Sequence, residues 1–380
     1  MTPKTAENIL KELIAIPSLN PGDSDNLDWI GENRMAKWLE TYLGGLGFTC
    51  SKHLVWEDRP NLLARIGAAK PTRTLMIEGH MDTVAVDNMV IPPFEPEIRD
   101  GKMYGRGSCD TKGPSAAALA GFTPRVLEAA QNSDKQLLYI GAVAEEVGCH
   151  GAHQLANAGI GADEAVILEP TSLKPVTAHK TSLWIRCEFS GKAGHASEPE
   201  HGINAADRAI AFAYFMRDLV HSYPDTHPLL GKSSFNLGVI QAGQAANIIP
   251  NQCSLEIDMR LVPSIDPQPI IEAAREFLAA QGAPETEADI ACETAFSTEA
   301  DTELIQRLLR SCAATGVTSE VAGAPWYSDA GPLAQTCPQI CVFGPGSIRQ
   351  AHTKDEWIDL AELQKGAEIF ETLYLDFLQS

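Results

Sequence analysis

LMIEGHMDTV, residues 75–84, reads as a buried strand whose polar residues collect at its carboxyl end. Leu75, Met76 and Ile77 are apolar, and Glu78, Gly79, His80 and Asp82 follow them. Residues two apart on a strand share a face, so His80 and Asp82 lie side by side. An imidazole ligand with the acid that orients it has this arrangement, and so does a structural histidine bonded to a nearby acid. In open α/β sheets ligands bind at the carboxyl ends of strands, which makes the rest of that rim the deciding feature.

Two more apolar runs end in the same way. Residues 137–144 lead into Glu145 and Glu146, and residues 165–168 lead into Glu169. Helical spacing over 5–16, 26–46 and 114–130 separates these strands, and the alternation predicts a parallel or mixed sheet covered by helices. Three charged strand ends are then delivered to one rim. From 180 to 292 the order changes to strand 181–190, helix 203–220, strands 235–241 and 252–261, helix 269–281 and a strand over 285–292. This βαββαβ order predicts a compact, ferredoxin-like split sheet. A helix at 301–315, a strand at 339–343 and a helix at 359–378 return to the first pattern. The expected class is α/β, with a catalytic domain formed by 1–179 and 293–380 and interrupted by an inserted domain at 180–292.

A chain of 380 residues with 44% hydrophobic content suits two such domains. Its formal net charge of −21 repels nucleic acid and anionic membranes, so the expected partner is a small molecule. Nine cysteines without a CxxC pair argue against a disulfide framework and for a reducing, cytoplasmic setting. The first sixteen residues are charged throughout, unlike a secretory signal. No run reaches the roughly 20 apolar residues that span a bilayer, and a soluble protein is expected.

YGRGSCDTKG, residues 104–113, sets Asp110 in a glycine-rich loop just before a helix. The residue suits a helix N-cap as well as a ligand; Walker and GxGxxG spacings are absent, and Cys109 has no identifiable base. In AVAEEVG, residues 142–148, two adjacent glutamates at a strand end repel unless a cation or a raised pKa relieves them. Alternation along a strand points them to opposite sides, so one can bind metal while the other faces substrate. LEPT, 168–171, supplies Glu169, and AHTKDEW, 351–357, supplies His352 after the loop GPGS, 344–347. Two histidines with three or four carboxylates suit a pair of hard or borderline divalent cations such as zinc or cobalt.

HMDTV, GRGSCDTKG, the EE pair, LEPT, GKAGHAS, NIIP with the following DMR, and GPGSIRQAH occur in this order. From about residue 10 to the end, the chain resembles the co-catalytic dinuclear zinc peptidase and deacylase family on these motifs. The resemblance implies a catalytic α/β domain interrupted by a lid domain through which members dimerise, and hence a homodimer. It implies that Asp110 bridges two cations, zinc or alternatively cobalt or manganese. His80 and Glu169 complete one site, Glu146 and His352 the other. Glu145 is then the general base acting on a bridging hydroxide, Asp82 orients His80, and the Asp110–Thr111 peptide is cis. Charge counting agrees: +4 from the cations, −3 from three ligating carboxylates and −1 from hydroxide leave the cluster near neutrality.

In the inserted domain, the resemblance implies that His195 donates to the developing oxyanion. Asn247 and Arg260 would grip the substrate carboxylate, where a guanidinium suits a bidentate contact. Gly346 and Ser347 of the GPGS loop would line the substrate site. GPGSIRQAHTKDEW is most similar to the acetylornithine deacetylase branch, which implies removal of acetate from N2-acetyl-L-ornithine in arginine biosynthesis. The succinyl-diaminopimelate desuccinylase, aminoacylase, dipeptidase and carboxypeptidase branches are the alternatives. GAPWYSDAG, 323–331, departs from the acetylornithine branch, and Asp329 within it is one acid that could hold the substrate's δ-ammonium.

Overall fold

In the computed structural model, which describes residues 2–280, 282 and 286–380, the strands Gln136–Ala142, Thr74–His80, Glu164–Ile167 and Gln339–Val342 lie side by side and run parallel. Leu75 is in register with Leu137 on one side and Glu164 on the other, and Cys341 with Val166. Their side chains are almost all buried, as expected of a parallel sheet covered on both faces. Because the strands are parallel, the segments after His80, Ala142, Ile167 and Val342 leave from one rim.

Beyond Gln136–Ala142 the sheet continues with an antiparallel hairpin, Arg59–Gly67 and then Thr49–Trp56. Sequence patterning assigned neither strand. The outer one is largely exposed along its length, and Lys52 and His53 interrupt its apolar residues, so it carries little period-2 signal.

Helices at Ala6–Ile14, Asn33–Gly45, Lys112–Ala120, Glu303–Ala314 and Leu360–Gln379 cover the sheet through one continuous core that includes Leu10, Leu39, Leu119, Leu308 and Phe370. Two helices expected as single runs are broken. The 26–46 run divides into a short 3-10 turn, Leu27–Trp29, and Asn33–Gly45, with Gly31 between them at φ 87, a conformation natural to glycine. The 114–130 run divides into Lys112–Ala120 and Pro124–Gln131. Thr123 caps the second helix by accepting from the Val126 N–H, and Pro124 occupies its first turn, where its missing N–H costs nothing.

The chain divides into two compact units, one of residues 1–177, 298–322 and 328–380, the other of residues 178–297 and 323–327. The divisions fall at 177/178 and 297/298, and again at either end of 323–327; the sequence reading put them at 179/180 and 292/293. The second unit holds a four-stranded antiparallel sheet in the order Ser234–Ala242, Gln252–Leu261, Thr181–Ser190, Thr286–Glu293. Leu183, Ile185, Cys187 and Phe189 point into its core against Phe212, Met216 and Ile270 of the helices Ala205–Ser222 and Gln268–Ala280, while Trp184, Arg186 and Glu188 point out. Gln281 and Glu285, expected to end a helix and begin a strand, lie outside the described residues. No helix among the described residues is long and apolar enough to cross a membrane.

Candidate metal centre

The rim of the parallel sheet gathers His80, Asp82, Asp110, Glu145, Glu146, Glu169 and His352. His80 ends its strand with Nε2 3.2 Å from Asp110 Oδ1 and 3.6 Å from Glu169 Oε1. His352 places Nε2 3.3 Å from Asp110 Oδ2 and 3.1 Å from Glu146 Oε2. The two oxygens of Asp110 therefore face two different histidine and glutamate pairs. In each group, His80–Asp110–Glu169 and Asp110–Glu146–His352, the candidate ligand atoms lie within 4.8 Å of one another. Glu145 can also be grouped with His80 and Glu146, but that grouping leaves Asp110 and His352 without a role.

Backbone geometry aims these side chains. Glu145 and Glu146 lie past the end of their strand at Ala142, so strand alternation does not separate them. The turn is made at Ala144, which has φ 59, and His352 has the same φ. Non-glycine residues seldom adopt this region, and they collect at functional sites. The Asp110–Thr111 peptide is cis, and the Thr111 hydroxyl donates to the Leu168 carbonyl at 2.6 Å, fastening the Asp110 loop to the strand end that carries Glu169.

Asp82 lies against His80 and against the two glutamates. Its backbone oxygen lies 3.0 Å and its carboxylate 3.5 Å from His80 Nδ1. The carboxylate also accepts from the backbone N–H groups of Glu145 and Glu146, each at 3.1 Å, and from Asn20 Nδ2 at 2.8 Å. Behind it, Arg59 donates to Asn20 Oδ1 and forks onto Glu32, whose Oε1 accepts from the Ala144 N–H. Asn20, Glu32 and Arg59 were not singled out in the sequence, because they are distant from every motif and no spacing ties them to it.

The electrostatics fit a pair of cations. Burial raises the pKa of Glu145 well above the usual carboxyl range, with Glu169 and Glu146 adding to it. Burial and then Asp110 raise Glu169 well above that range and Glu146 to about 7. Hydrogen bonds to Asp110 and Glu146 raise His352 to about 10. Burial works against charge on His80, but Asp110, Asp82 and the glutamates outweigh it and hold its pKa well up. Five carboxyl groups crowd two imidazoles in a site where Asp82, Asp110, Glu145 and Glu169 are buried. Divalent cations resolve such a surplus of buried negative charge, and the mixed nitrogen and oxygen donors suit borderline metals.

The other residues singled out in the sequence are placed as follows. Gly346 is buried at φ 93, its N–H donating to Glu362 and its carbonyl accepting from the Ser172 N–H. Ser347 caps a short 3-10 turn by accepting from the Arg349 N–H. Asp329 is 1% exposed and faces Glu78, itself fully buried. Burial raises Glu78 well above the carboxyl range and Asp329 to about 6, and Asp329 has no open surface to offer an ammonium. In the second unit, His195 and Asn247 lie on segments joined by the Ala196 N–H donating to the Asn247 carbonyl at 3.1 Å, and His195 Nδ1 lies 2.7 Å from the Ser197 hydroxyl. Arg260 forks onto Asp258, at 2.8 and 3.0 Å.

Residues 76–376 match the model of the peptidase family M20/M25/M40. The chain belongs to this family. Over 97% of its length and 96% of the relative's, it is 34% identical to an acetylornithine deacetylase of Proteus mirabilis. Among solved structures, the M20 fold recurs in a metallo-carboxypeptidase from Sulfolobus solfataricus, with a TM-score of 0.79 at 18% identity over 99% of both chains. It recurs again in a dinuclear metal binding M20 peptidase from Bacillus subtilis, with a TM-score of 0.68 at 16% identity over 98% of both. As an M20 protein the chain is an amide hydrolase.

Proposed function

We propose that this M20 hydrolase removes the acyl group from an N-acyl amino acid, with N2-acetyl-L-ornithine as the first candidate, yielding L-ornithine and acetate. The observation that carries the reading is Asp110, whose two carboxylate oxygens face the His80–Glu169 and Glu146–His352 pairs. We assign these five residues to two divalent cations, zinc first and cobalt or manganese next. When bound, such cations polarise a carbonyl and acidify water.

Glu145 is the remaining carboxylate beside the cluster. It takes a proton from the attacking water and gives that proton to the amide nitrogen as the C–N bond breaks, so that the product leaves as a neutral amine. The Glu145 backbone N–H donates to Asp82 at 3.1 Å, which fixes the point from which the side chain extends. On the family resemblance we assign Gly346 and Ser347 to the substrate site; Ser347 accepts from the Arg349 N–H, and the backbone groups of Gly346 bond to Glu362 and Ser172. On the strength of the family resemblance we assign His195 to the oxyanion, and Asn247 and Arg260 to the substrate carboxylate. The same resemblance supports a homodimer built through the second unit. Nine cysteines without a CxxC pair favour a cytoplasmic setting.

A panel of N-acyl amino acids and dipeptides, assayed with defined metals, tests the substrate. Fast turnover of N2-acetyl-L-ornithine is expected, in line with the deacetylase from Proteus mirabilis. A preference for dipeptides, N-succinyl-diaminopimelate or long acyl groups would overturn the assignment.

A further inference from the structure

Glu356 is fully buried and accepts from four donors. Its Oε1 takes the backbone N–H groups of Cys109 at 2.8 Å and Asp110 at 2.9 Å, and its Oε2 takes the Gly107 N–H at 2.9 Å and Arg106 Nη1 at 2.8 Å. One carboxylate thus shapes the loop from Arg106 to Asp110. Glu356 also follows His352 by four residues, and the next residues zip onto the strand before that loop, Trp357 opposite Tyr104 and Ile358 opposite Met103. Arg106 closes the connection by donating to the carbonyls of Ala85 and Thr353.

We propose that Glu356 is a positioning residue of the metal centre, fixing the loop that carries Asp110 against the segment that carries His352. The inference rests on the reading of Asp110 and His352 as ligands. Its physical basis is the number of acceptors. A carboxylate offers two oxygens and can satisfy all four donors, but an amide offers one oxygen and turns an NH2 group toward donors that cannot accept. Glu356→Gln therefore removes half of the clamp with little change of shape. Partners that orient metal ligands typically change metal affinity by about 10- to 100-fold when lost.

Cobalt(II) is the probe, read by titration against a chelator and by its visible spectrum, with thermal unfolding measured in parallel. Glu356→Gln is expected to unfold cooperatively, to bind cobalt at least tenfold more weakly and to show an altered spectrum. A variant that loses thermal stability yet keeps the parent's cobalt affinity and spectrum has lost only a structural contact, which would overturn the proposal. Should Glu356→Gln not fold, Glu356→Asp keeps the charge but withdraws it by one methylene; weakened cobalt binding supports the inference, and unchanged binding overturns it. Asp110→Asn separates the two levels. If it too binds cobalt like the parent, the metal-centre reading itself fails; if it alone loses cobalt, only the role of Glu356 does.

Discussion

At the residue scale, the proposed roles separate groups that hold from a group that reacts. Asp110 divides its oxygens between two histidines, and Asp82 holds the backbone of the two glutamates. Glu145→Gln preserves size and the Asp82 contact but cannot take a proton. Turnover is expected to fall by about 10²- to 10⁴-fold with metal content unchanged, measured by steady-state kinetics and metal analysis of the same sample. High residual activity would remove Glu145 from the proton-transfer role. Part of the rim was legible from pattern, because apolar runs stop at His80, Glu145 and Glu169; Asp110 and His352 sit in loops and drew their expected roles from the family resemblance. The layer behind the rim was not legible. Arg59 and Glu32 reach Ala144 and Asn20 through a fold in which residues 32, 59 and 144 become neighbours, and such long-range pairing leaves no local signature.

At the element scale, the parallel strands and the split sheet of the second unit were legible from their period and order, but helix breaks and an outer hairpin were missed. Local chemistry explains the breaks, since a positive φ at Gly31 and a Thr123–Pro124 start override a continuous apolar stripe. Glycines give a test of how tightly elements meet. A Cβ at Gly113 would lie 2.3 Å from the Ser108 carbonyl oxygen and 2.7 Å from Ile358 Cδ1, at the start of the helix after Asp110. Gly113→Ala forces backbone to move and is expected to cost about 1–3 kcal/mol or more. Gly44, inside the helix Asn33–Gly45, has nothing within 4 Å of such a Cβ. Gly44→Ala is expected to stabilise by about 0.4–1 kcal/mol through the unfolded chain. Opposite shifts in thermal midpoint are the expected result; a lowered midpoint for Gly44→Ala would contradict the open surroundings of that position.

At the scale of the whole molecule, buried acids couple stability to cations. The chain carries a formal charge of −21, and the rim concentrates five carboxyl groups within one unit. Folding brings these groups together against their mutual repulsion, so a ligand that binds the assembled cluster and not the unfolded chain stabilises it by mass action. Free metal at 100 times its dissociation constant contributes about 2.7 kcal/mol for one site. In a domain of 150–250 residues each kcal/mol moves the midpoint by about 2–4 °C, so chelation is expected to lower melting by at least about 5 °C. Two compact units need not melt together, and calorimetry can resolve them. The chelator-sensitive transition should be the one that His80→Ala also makes insensitive to metal. A chelator shift that persists in His80→Ala would place the stabilising cation away from this cluster.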